Sequence, residues 1–213
     1  MFRAALLYSL FRPMSRARKK PRQQRSRATW EAILDAAAQL FGQSGYAATT
    51  TNKVAERAGV SIGSLYQYFP NKDALLTALA ERHLTESTAV LFDVFVALQR
   101  DRPDLEGTLG RLIDAVVALH RREPAMHRLL FDQTPRTPEM VARLRGLERQ
   151  LAAAVTEQLQ RLGVAGRVPE ARGMLLVQAL EAQVHGAVLG PPDDLPAEVL
   201  VDEIRELWLR ALQ

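Results

Sequence analysis

The chain of 213 residues contains no cysteine. This absence excludes disulfide bonds, thiolate nucleophiles, zinc–thiolate sites and iron–sulfur clusters. The sequence also lacks an apolar run of the about 18 to 20 residues that span a bilayer. A polybasic run, rather than a secretory cleavage site, follows the short apolar stretch 4–11. We therefore expect a cytoplasmic protein, and a chain of this length can bury a sizeable core.

The sequence patterns typical of enzymes are missing as well. We find no phosphate-binding glycine loop, no nucleophile elbow and no constellation of histidines with carboxylates. The sequence therefore predicts a protein that is not an enzyme and that needs no cofactor.

A metal site is not expected either. His120, Glu123 and His127 are spaced i, i+3 and i+7, which would align them on one helix face. Pro124 predicts a helix break between them, and the break would scatter the three side chains. The two remaining histidines of the chain have no evident ligand partners in the sequence.

The positive charge of the chain is concentrated at its beginning. The net charge is +4, but residues 1–27 hold nine basic side chains and no acidic one, so that the remainder carries −5. A block of this kind is typical of a disordered tail that binds nucleic acid or anionic lipid, or of a solvated tail without a partner. We predict a disordered basic extension over residues 1–25. Met14 opens the basic stretch, and we expect residues 1–13 to be an upstream extension without a structural role.

Apolar residues recur with helical period along the chain. The first helix is predicted over about 26–44, ended by Gly45, from the spacing of Trp30, Ile33, Leu34, Ala37, Leu40 and Phe41. A hydroxyl of Thr49-Thr50-Thr51 and that of Ser61 are expected to cap two short helices, and Asn71 a longer one that continues to about residue 98. Further helices are predicted near 105–121, 124–133, 138–162, 169–189 and 196–212. No alternating strand pattern is present, so the predicted fold is all-α.

Two of these predicted helices form a helix-turn-helix. They are joined by Ala58-Gly59-Val60 and preceded by a helix on which they can pack. The glycine permits a tight turn, which directs the second helix outward towards a major groove. The neighbouring basic arm strengthens this interpretation, because backbone phosphates attract such an arm.

The same region resembles the DNA-binding domain of tetracycline-repressor (TetR) family regulators. The resemblance covers about residues 26–82 and is carried by GYAATT at 45–50, VAERAGVS at 54–61 and LYQYFPNKDALL at 65–76. Lys53 departs from the pattern, which usually has an acidic or polar residue there. The resemblance implies an N-terminal three-helix DNA-binding domain over 26–82 and a C-terminal helical domain over 83–213 for ligand binding and dimerisation.

The resemblance also implies which residues face DNA. They are Thr50, Lys53, Ser61, Gly63, Ser64, Tyr66, Gln67, Tyr68 and Lys72. The hydroxyls at 50 and 61 either meet phosphates or serve only as helix caps. Gly63 permits close approach to the groove, and Gln67 can pair with adenine through two hydrogen bonds. Tyr66 either contacts DNA or belongs to the core, and Lys72 offers a point charge to the backbone.

The C-terminal part carries a net charge of −4, which gives it no reason to bind DNA. Its candidate effector-binding residues are Met126, Phe131, Met174, Gln178, Glu181 and His185. The last three share one face of the 169–189 helix, and that face either lines a pocket or is solvated or paired across a dimer. Apolar and small residues on the last two helices predict that they form the dimer interface.

Together these features predict a homodimeric transcriptional repressor that leaves double-stranded operator DNA when a small-molecule effector binds. One alternative is a helical small-molecule enzyme or binding protein with an incidental helix-turn-helix. Another is a DNA-binding factor without an effector.

Overall fold

The computed structural model describes residues 24–134 and 137–213. The described residues form nine helices and no strand, which confirms the all-α prediction. The helices are α1 (Gln24–Ala48), α2 (Thr51–Arg57), α3 (Ile62–Tyr68), α4 (Lys72–Asp101), α5 (Leu105–Arg122), α6 (Pro124–Gln133), α7 (Pro138–Arg161), α8 (Pro169–Leu189) and α9 (Ala197–Leu212). None of them is long and apolar enough to cross a membrane.

The chain divides into two compact units. The first comprises the described parts of Met1–Leu84 and Leu129–Pro135, and the second comprises those of Thr85–Arg128 and Arg136–Gln213. The sequence placed a boundary after residue 82 and did not predict the contribution of 129–135 to the first unit. Of the predicted basic extension, residues 1–23 lie outside the described residues. Gln24 and Arg25 differ from the expectation of disorder, because α1 begins at Gln24.

Helix α1 supplies much of the core of the first unit. Its buried residues include five of the six apolar positions that predicted the helix, Trp30, Ile33, Leu34, Ala37 and Phe41, while Leu40 is half-buried. Gly45 breaks the helical backbone with a φ of +77°, where a residue without Cβ meets the least strain. The helical path of α1 therefore ends where the glycine predicted it.

The caps predicted from the sequence are present. The Thr50 side chain accepts a hydrogen bond from the Lys53 amide, and the Ser61 side chain accepts one from the Ser64 amide. The Asn71 carbonyl oxygen Oδ1 accepts one from the Ala74 amide at 2.8 Å. Each cap satisfies a backbone donor that the first turn of a helix leaves unpaired.

Gly59 forms the turn between α2 and α3. Its φ is +66°, its amide donates to the Glu56 carbonyl at 3.1 Å, and the Val60 amide donates to the Ala55 carbonyl at 3.0 Å. This pair of bonds is the Schellman arrangement, which ends a helix with one left-handed residue. The direction in which α3 leaves α2 therefore depends on a backbone conformation that glycine adopts without strain.

In the second unit, α8 packs against α7, α5 and α9. Leu176, Leu180 and Val184 on α8 are buried in the core that these helices share. A Cβ at Gly173 would lie 2.1 Å from Thr156 Oγ1 and 2.7 Å from the Ala152 carbonyl oxygen. The glycine therefore permits α7 and α8 to approach more closely than any other residue would allow.

The conformation of this turn predicts that alanine substitutions at Gly59 and at Gly42 change the stability of the protein in opposite directions. A Cβ meets nothing within 4 Å at either Gly59 or Gly42, and only Gly59 has a positive φ. Gly59→Ala should therefore lower the free energy of unfolding of the first unit by about 1 to 2 kcal/mol. Gly42→Ala, inside α1, should raise it by about 0.5 to 1 kcal/mol.

Urea denaturation followed by Trp30 fluorescence measures both effects, in a Trp208→Phe background that leaves Trp30 as the only tryptophan. A loss of stability of equal size in both variants would show that backbone conformation does not control this turn.

Candidate functional site

The starts of α2 and α3 carry exposed hydroxyls. Thr50 Oγ1 lies 3.3 Å from the Lys53 amide nitrogen, and Ser61 Oγ lies 3.0 Å from the Ser64 amide nitrogen. Ser61 Oγ also lies 2.8 Å from Ser64 Oγ. The helix-cap interpretation of both residues is confirmed, and their contact with phosphate stays a prediction.

Helix α3 has one buried and one exposed side. Leu65 is fully buried, whereas Gly63 and Gln67 are exposed. Tyr66 is 41% exposed, and its hydroxyl oxygen lies 3.1 Å from Thr51 Oγ1. The alternative that placed Tyr66 in the core is therefore wrong, and α3 presents a glycine, a tyrosine and a glutamine side by side to solvent.

Tyr68 is turned towards the protein instead. It is half-buried, its hydroxyl oxygen lies 2.9 Å from Ser26 Oγ, and its ring meets the Trp30 ring edge-on at 6.1 Å between centroids. These contacts give Tyr68 a packing role between α3 and α1, and its predicted contact with DNA stays a prediction.

Two lysines bring positive charge to the end of α1. Lys53 Nζ donates to the Ala48 carbonyl at 3.1 Å, and Lys72 Nζ donates to the Tyr46 carbonyl at 2.6 Å. Both carbonyls lie just beyond Gly45, where the helical path of α1 breaks, and each accepts a hydrogen bond from one ammonium group. Both ammonium groups are thereby held beside the start of α2, where a phosphate bound to that helix would lie.

Tyr46 contacts two residues at the start of α4, and the sequence did not predict this role. Lys72 Nζ lies 4.1 Å from the centre of its ring, and its hydroxyl donates to the Asp73 carboxylate. Burial raises the pKa of the Tyr46 hydroxyl, and the bond and charge of Asp73 raise it further. The phenol therefore stays protonated and joins the end of α1 to the start of α4.

The six candidate effector-binding residues do not form one group. Phe131 is 53% exposed and belongs to the first unit, whereas the other five belong to the second. Met126 is buried, Met174 is half-buried, and the Gln178 amide donates to Glu148 Oε1 on α7 at 2.8 Å. Only Glu181 and His185 share a polar cluster.

That cluster corrects the expectation that Pro124 scatters the histidines. Pro124 is the first residue of α6, where proline is tolerated, and the chain turns back so that the rings of His120 and His127 lie 4.1 Å apart. Glu181 and His185 of α8 complete a group whose ligand atoms all lie within 4.8 Å of one another. Glu123 is not part of this group. The expectation that His185 has no ligand partners is also wrong.

Electrostatics couple the members of this cluster. Burial lowers the pKa of His120, but the Glu181 carboxylate and the Val116 carbonyl raise it by more, and its pKa lies above the ordinary value. Partial desolvation raises the pKa of Glu181, but the three imidazoles lower it by more. The cluster therefore favours a negative carboxylate beside positive charge.

The second unit also has a groove of about 240 Å³ between α8 and α9. It is lined by Gln183, Ala187, Leu200, Glu203, Ile204 and Leu207. None of the six candidate effector-binding residues lines it. The groove instead follows the two helices that the sequence predicted to dimerise.

Both parts of the chain match known protein families. Residues 33–79 match the family described as bacterial regulatory proteins, tetR family, and residues 104–212 match the tetracyclin repressor-like C-terminal domain. The second match alone covers half of the chain.

Individual proteins are similar over different lengths. The uncharacterized HTH-type transcriptional regulator YvkB of Bacillus subtilis is 31% identical over 121 residues, which are 55% of this chain and 64% of YvkB. The chain thus spans slightly less than two thirds of that relative. The nucleoid occlusion factor SlmA of Actinobacillus pleuropneumoniae is 27% identical over 180 residues, which are 82% of this chain and 86% of SlmA.

Among solved structures, the transcriptional regulator FadR from Bacillus subtilis in complex with stearoyl-CoA superposes with a TM-score of 0.63. The alignment covers 86% of this chain and 100% of that chain at 19% identity, which is evidence for a shared fold. Because both matched segments belong to one family and the larger covers half of the residues, the chain is a member of the tetR family of bacterial regulatory proteins.

Proposed function

We propose that the protein is a homodimeric repressor that binds double-stranded operator DNA through α3 and leaves it when a small-molecule effector binds the second unit. Membership of the family makes the chain a DNA-binding transcriptional regulator, which supports this function over that of an enzyme with an incidental helix-turn-helix. Since bacterial operators lie in the cytoplasm, the proposal carries a cytoplasmic location with it.

One observation carries the DNA-binding part of the proposal. The buried Leu65 and the fully buried Phe69 turn one side of α3 inward, and Gly63, Tyr66 and Gln67 are exposed on the helix. A major groove admits a helix that presents such a surface, and glutamine can hydrogen-bond to both N6 and N7 of adenine. We therefore assign base recognition to Gln67.

Phosphate contacts are assigned to the surrounding residues. Thr50 and Ser61 present hydroxyls at two helix starts, and Lys53 and Lys72 hold their charges at the adjoining end of α1. Backbone contacts of this kind set the register of a protein on DNA without reading its sequence.

The effector part follows from linkage. An effector that binds better to a conformation with misplaced recognition helices shifts the population away from DNA, and operator DNA then lowers effector affinity by the same factor. The fold shared with FadR in its stearoyl-CoA complex supports a ligand-binding role for the helical second unit.

A second candidate is a DNA-binding factor without an effector, which is favoured because the six candidate effector-binding residues do not form one group. The two candidates differ in their response to small molecules, because the operator affinity of such a factor is independent of them.

Surface features of α8 and α9 support the homodimer. Leu175 is 62% exposed and Leu207 is 54% exposed, while Ala182 and Gly186 leave an exposed strip of small residues on α8. Exposed apolar residues beside an apolar groove are typical of a protein interface. A two-fold dimer also matches half-sites about 34 Å apart.

Gln67→Ala tests base recognition. Against the operator, found by mapping the protein's genomic binding sites, the variant should lose about 1 to 3 kcal/mol of binding free energy. On a scrambled duplex of equal length, its affinity should stay within twofold of the original. Gel shift or fluorescence anisotropy measures both, and Gln99→Ala, an exposed glutamine of α4 in the second unit, is the control.

An equal loss on both duplexes would remove Gln67 from base recognition. If the unchanged protein binds its mapped site no better than the scrambled duplex, the proposed function itself is wrong.

Gly63→Ala separates folding from recognition. A Cβ at Gly63 meets only Ser61 Oγ, at 3.9 Å. The free energy of unfolding of the variant should therefore rise by about 0.5 to 1 kcal/mol. In the major groove of the operator, the added methyl group would occupy space that the DNA needs. Operator affinity should therefore fall at least about tenfold, which corresponds to 1.4 kcal/mol.

Urea denaturation and operator anisotropy give the two readouts. Gly146→Ala, inside α7 with nothing within 4 Å of its Cβ, should gain stability without losing operator affinity. Undiminished operator binding by Gly63→Ala would mean that DNA does not approach this turn of α3.

Leu207→Asp tests the dimer. A carboxylate placed on an apolar interface loses its hydration, and we expect the dimer dissociation constant to rise at least about 100-fold, which corresponds to 2.7 kcal/mol. Sedimentation equilibrium should then show monomers at micromolar concentration, and operator affinity should fall with dimerisation. Leu144→Asp, an exposed leucine of α7, should stay dimeric. A dimeric Leu207→Asp would place the interface elsewhere.

A further inference from the structure

The histidine cluster of the second unit brings together groups that are far apart in the sequence. His120 lies in the last turn of α5 and His127 in the first half of α6, while Glu181 and His185 lie one turn apart on α8. The chain has four histidines, and three of them meet here with ring centroids 4.1, 5.6 and 5.8 Å apart. DNA recognition uses none of these residues.

The tautomer of His120 follows from its surroundings. Its side chain is almost fully buried, and Nδ1 lies 2.8 Å from the Val116 carbonyl oxygen. A carbonyl only accepts hydrogen bonds, so Nδ1 carries a proton and donates it. In the neutral imidazole the lone pair is therefore on Nε2, the atom that faces the cluster.

This lone pair lies beside a carboxylate. Nε2 of His120 is buried without a hydrogen-bond partner among the described residues, and Glu181 Oε1 is 3.5 Å away. Two electron-rich atoms at this separation repel each other unless a cation joins them. The cation is either a second proton on the ring or a metal ion.

The remaining geometry favours the metal ion. A proton would join only His120 and Glu181, whereas the candidate ligand atoms of all four residues lie within 4.8 Å of one another. Tetrahedral zinc with bonds of about 2.0 to 2.1 Å holds its ligand atoms about 3.4 Å apart. The separation of 3.5 Å between His120 Nε2 and Glu181 Oε1 fits that value.

The hydrogen bond at Nδ1 of His120 has the same implication. Histidines that bind metals characteristically donate their other ring proton to a backbone carbonyl or a carboxylate, which fixes the ring orientation. Val116 supplies that carbonyl from one turn earlier on α5. Three imidazoles and one carboxylate are the donor set preferred by Zn²⁺ and by neighbouring divalent transition metals.

We propose that His120, His127, Glu181 and His185 form a binding site for one divalent transition-metal ion of the zinc type. The site joins α5, α6 and α8 and holds its ligands before the ion arrives. It is independent of the proposed function, because metal binding by the second unit requires no operator.

The test uses the full chain without a histidine tag, after treatment with a chelator. Titration with Co²⁺, whose visible absorption reports coordination by nitrogen and oxygen, should saturate at one ion per chain, and Zn²⁺ should displace it. Elemental analysis after gel filtration with Zn²⁺ should give the same stoichiometry.

Variants identify the ligands. Loss of an outer-shell partner of a metal ligand lowers metal affinity about 10- to 100-fold. His127→Gln and His185→Gln each remove a ligand and should lower Co²⁺ affinity by at least this factor. Glu181→Gln should alter the absorption spectrum of bound Co²⁺. His83→Gln, which changes the one histidine outside the cluster, is the matched control and should bind as the original does. His120 is left unchanged because its burial makes a folding defect the expected result.

Two results would overturn the proposal. One is the absence of bound Co²⁺ and Zn²⁺ at 100-fold molar excess, which would leave a proton as the cation between His120 and Glu181. The other is equal binding by the original chain and by His127→Gln/His185→Gln. Circular dichroism monitors the folding of each variant. If the double variant unfolds, the Co²⁺ absorption spectrum of Glu181→Gln decides whether the cluster binds the ion, because the side chain that it changes is 55% exposed.

Discussion

The burial of Leu65 and Phe69 is the constraint on which the exposed surface of α3 depends. Both side chains are fully buried, and the Trp30 ring lies 4.3 Å from that of Phe69. Leu65 lies within α3, and Phe69 directly follows its last residue and donates its amide to the Leu65 carbonyl at 2.9 Å. The burial of both therefore fixes the rotation of α3 about its own axis. The exposure of Gly63 and Gln67 is therefore a consequence of core packing, and any change that rotates α3 would remove both from solvent together.

Rotation of α3 is only half of its placement, and the other half comes from the ends of neighbouring helices. Gly59 sets the direction in which α3 begins, and the contact between Tyr68 and Ser26 holds its last turn against α1. The end of α1 is in turn joined to α2 and α4 by Lys53 and Lys72. The same two ammonium groups thus hold these helices together, so their substitution should affect stability.

What the sequence predicted well depends on local rules. The three caps, the glycine turn and the buried face of α1 each arise from residues that follow one another at short intervals along the chain, and the structure contains all of them. The resemblance carried the DNA-binding assignment because GYAATT and LYQYFPNKDALL record such local rules in a fixed order.

What the sequence did not predict depends on packing between distant residues. Glu181 follows His120 by 61 positions, and no local pattern joins them. The proline argument considered only one helix, whereas the turn before α6 returns the chain onto α8. Likewise Gln178 shares a face with Glu181 by spacing but bonds to Glu148 on α7, so a shared face did not mean a shared site.

Helix α8 shows why composition alone could not separate residues of the core, of the polar cluster and of the exposed surface. Leu176, Leu180 and Val184 are buried in the core, Glu181 and His185 meet the two histidines of α5 and α6, and Leu175 is exposed on another side. A helix with three different surroundings has no single apolar stripe, so periodicity predicts that it is helical but not which side is which. Core packing, the polar cluster and the exposed leucine therefore lie on separate sides of this helix, and substitutions on its three sides should have separable effects.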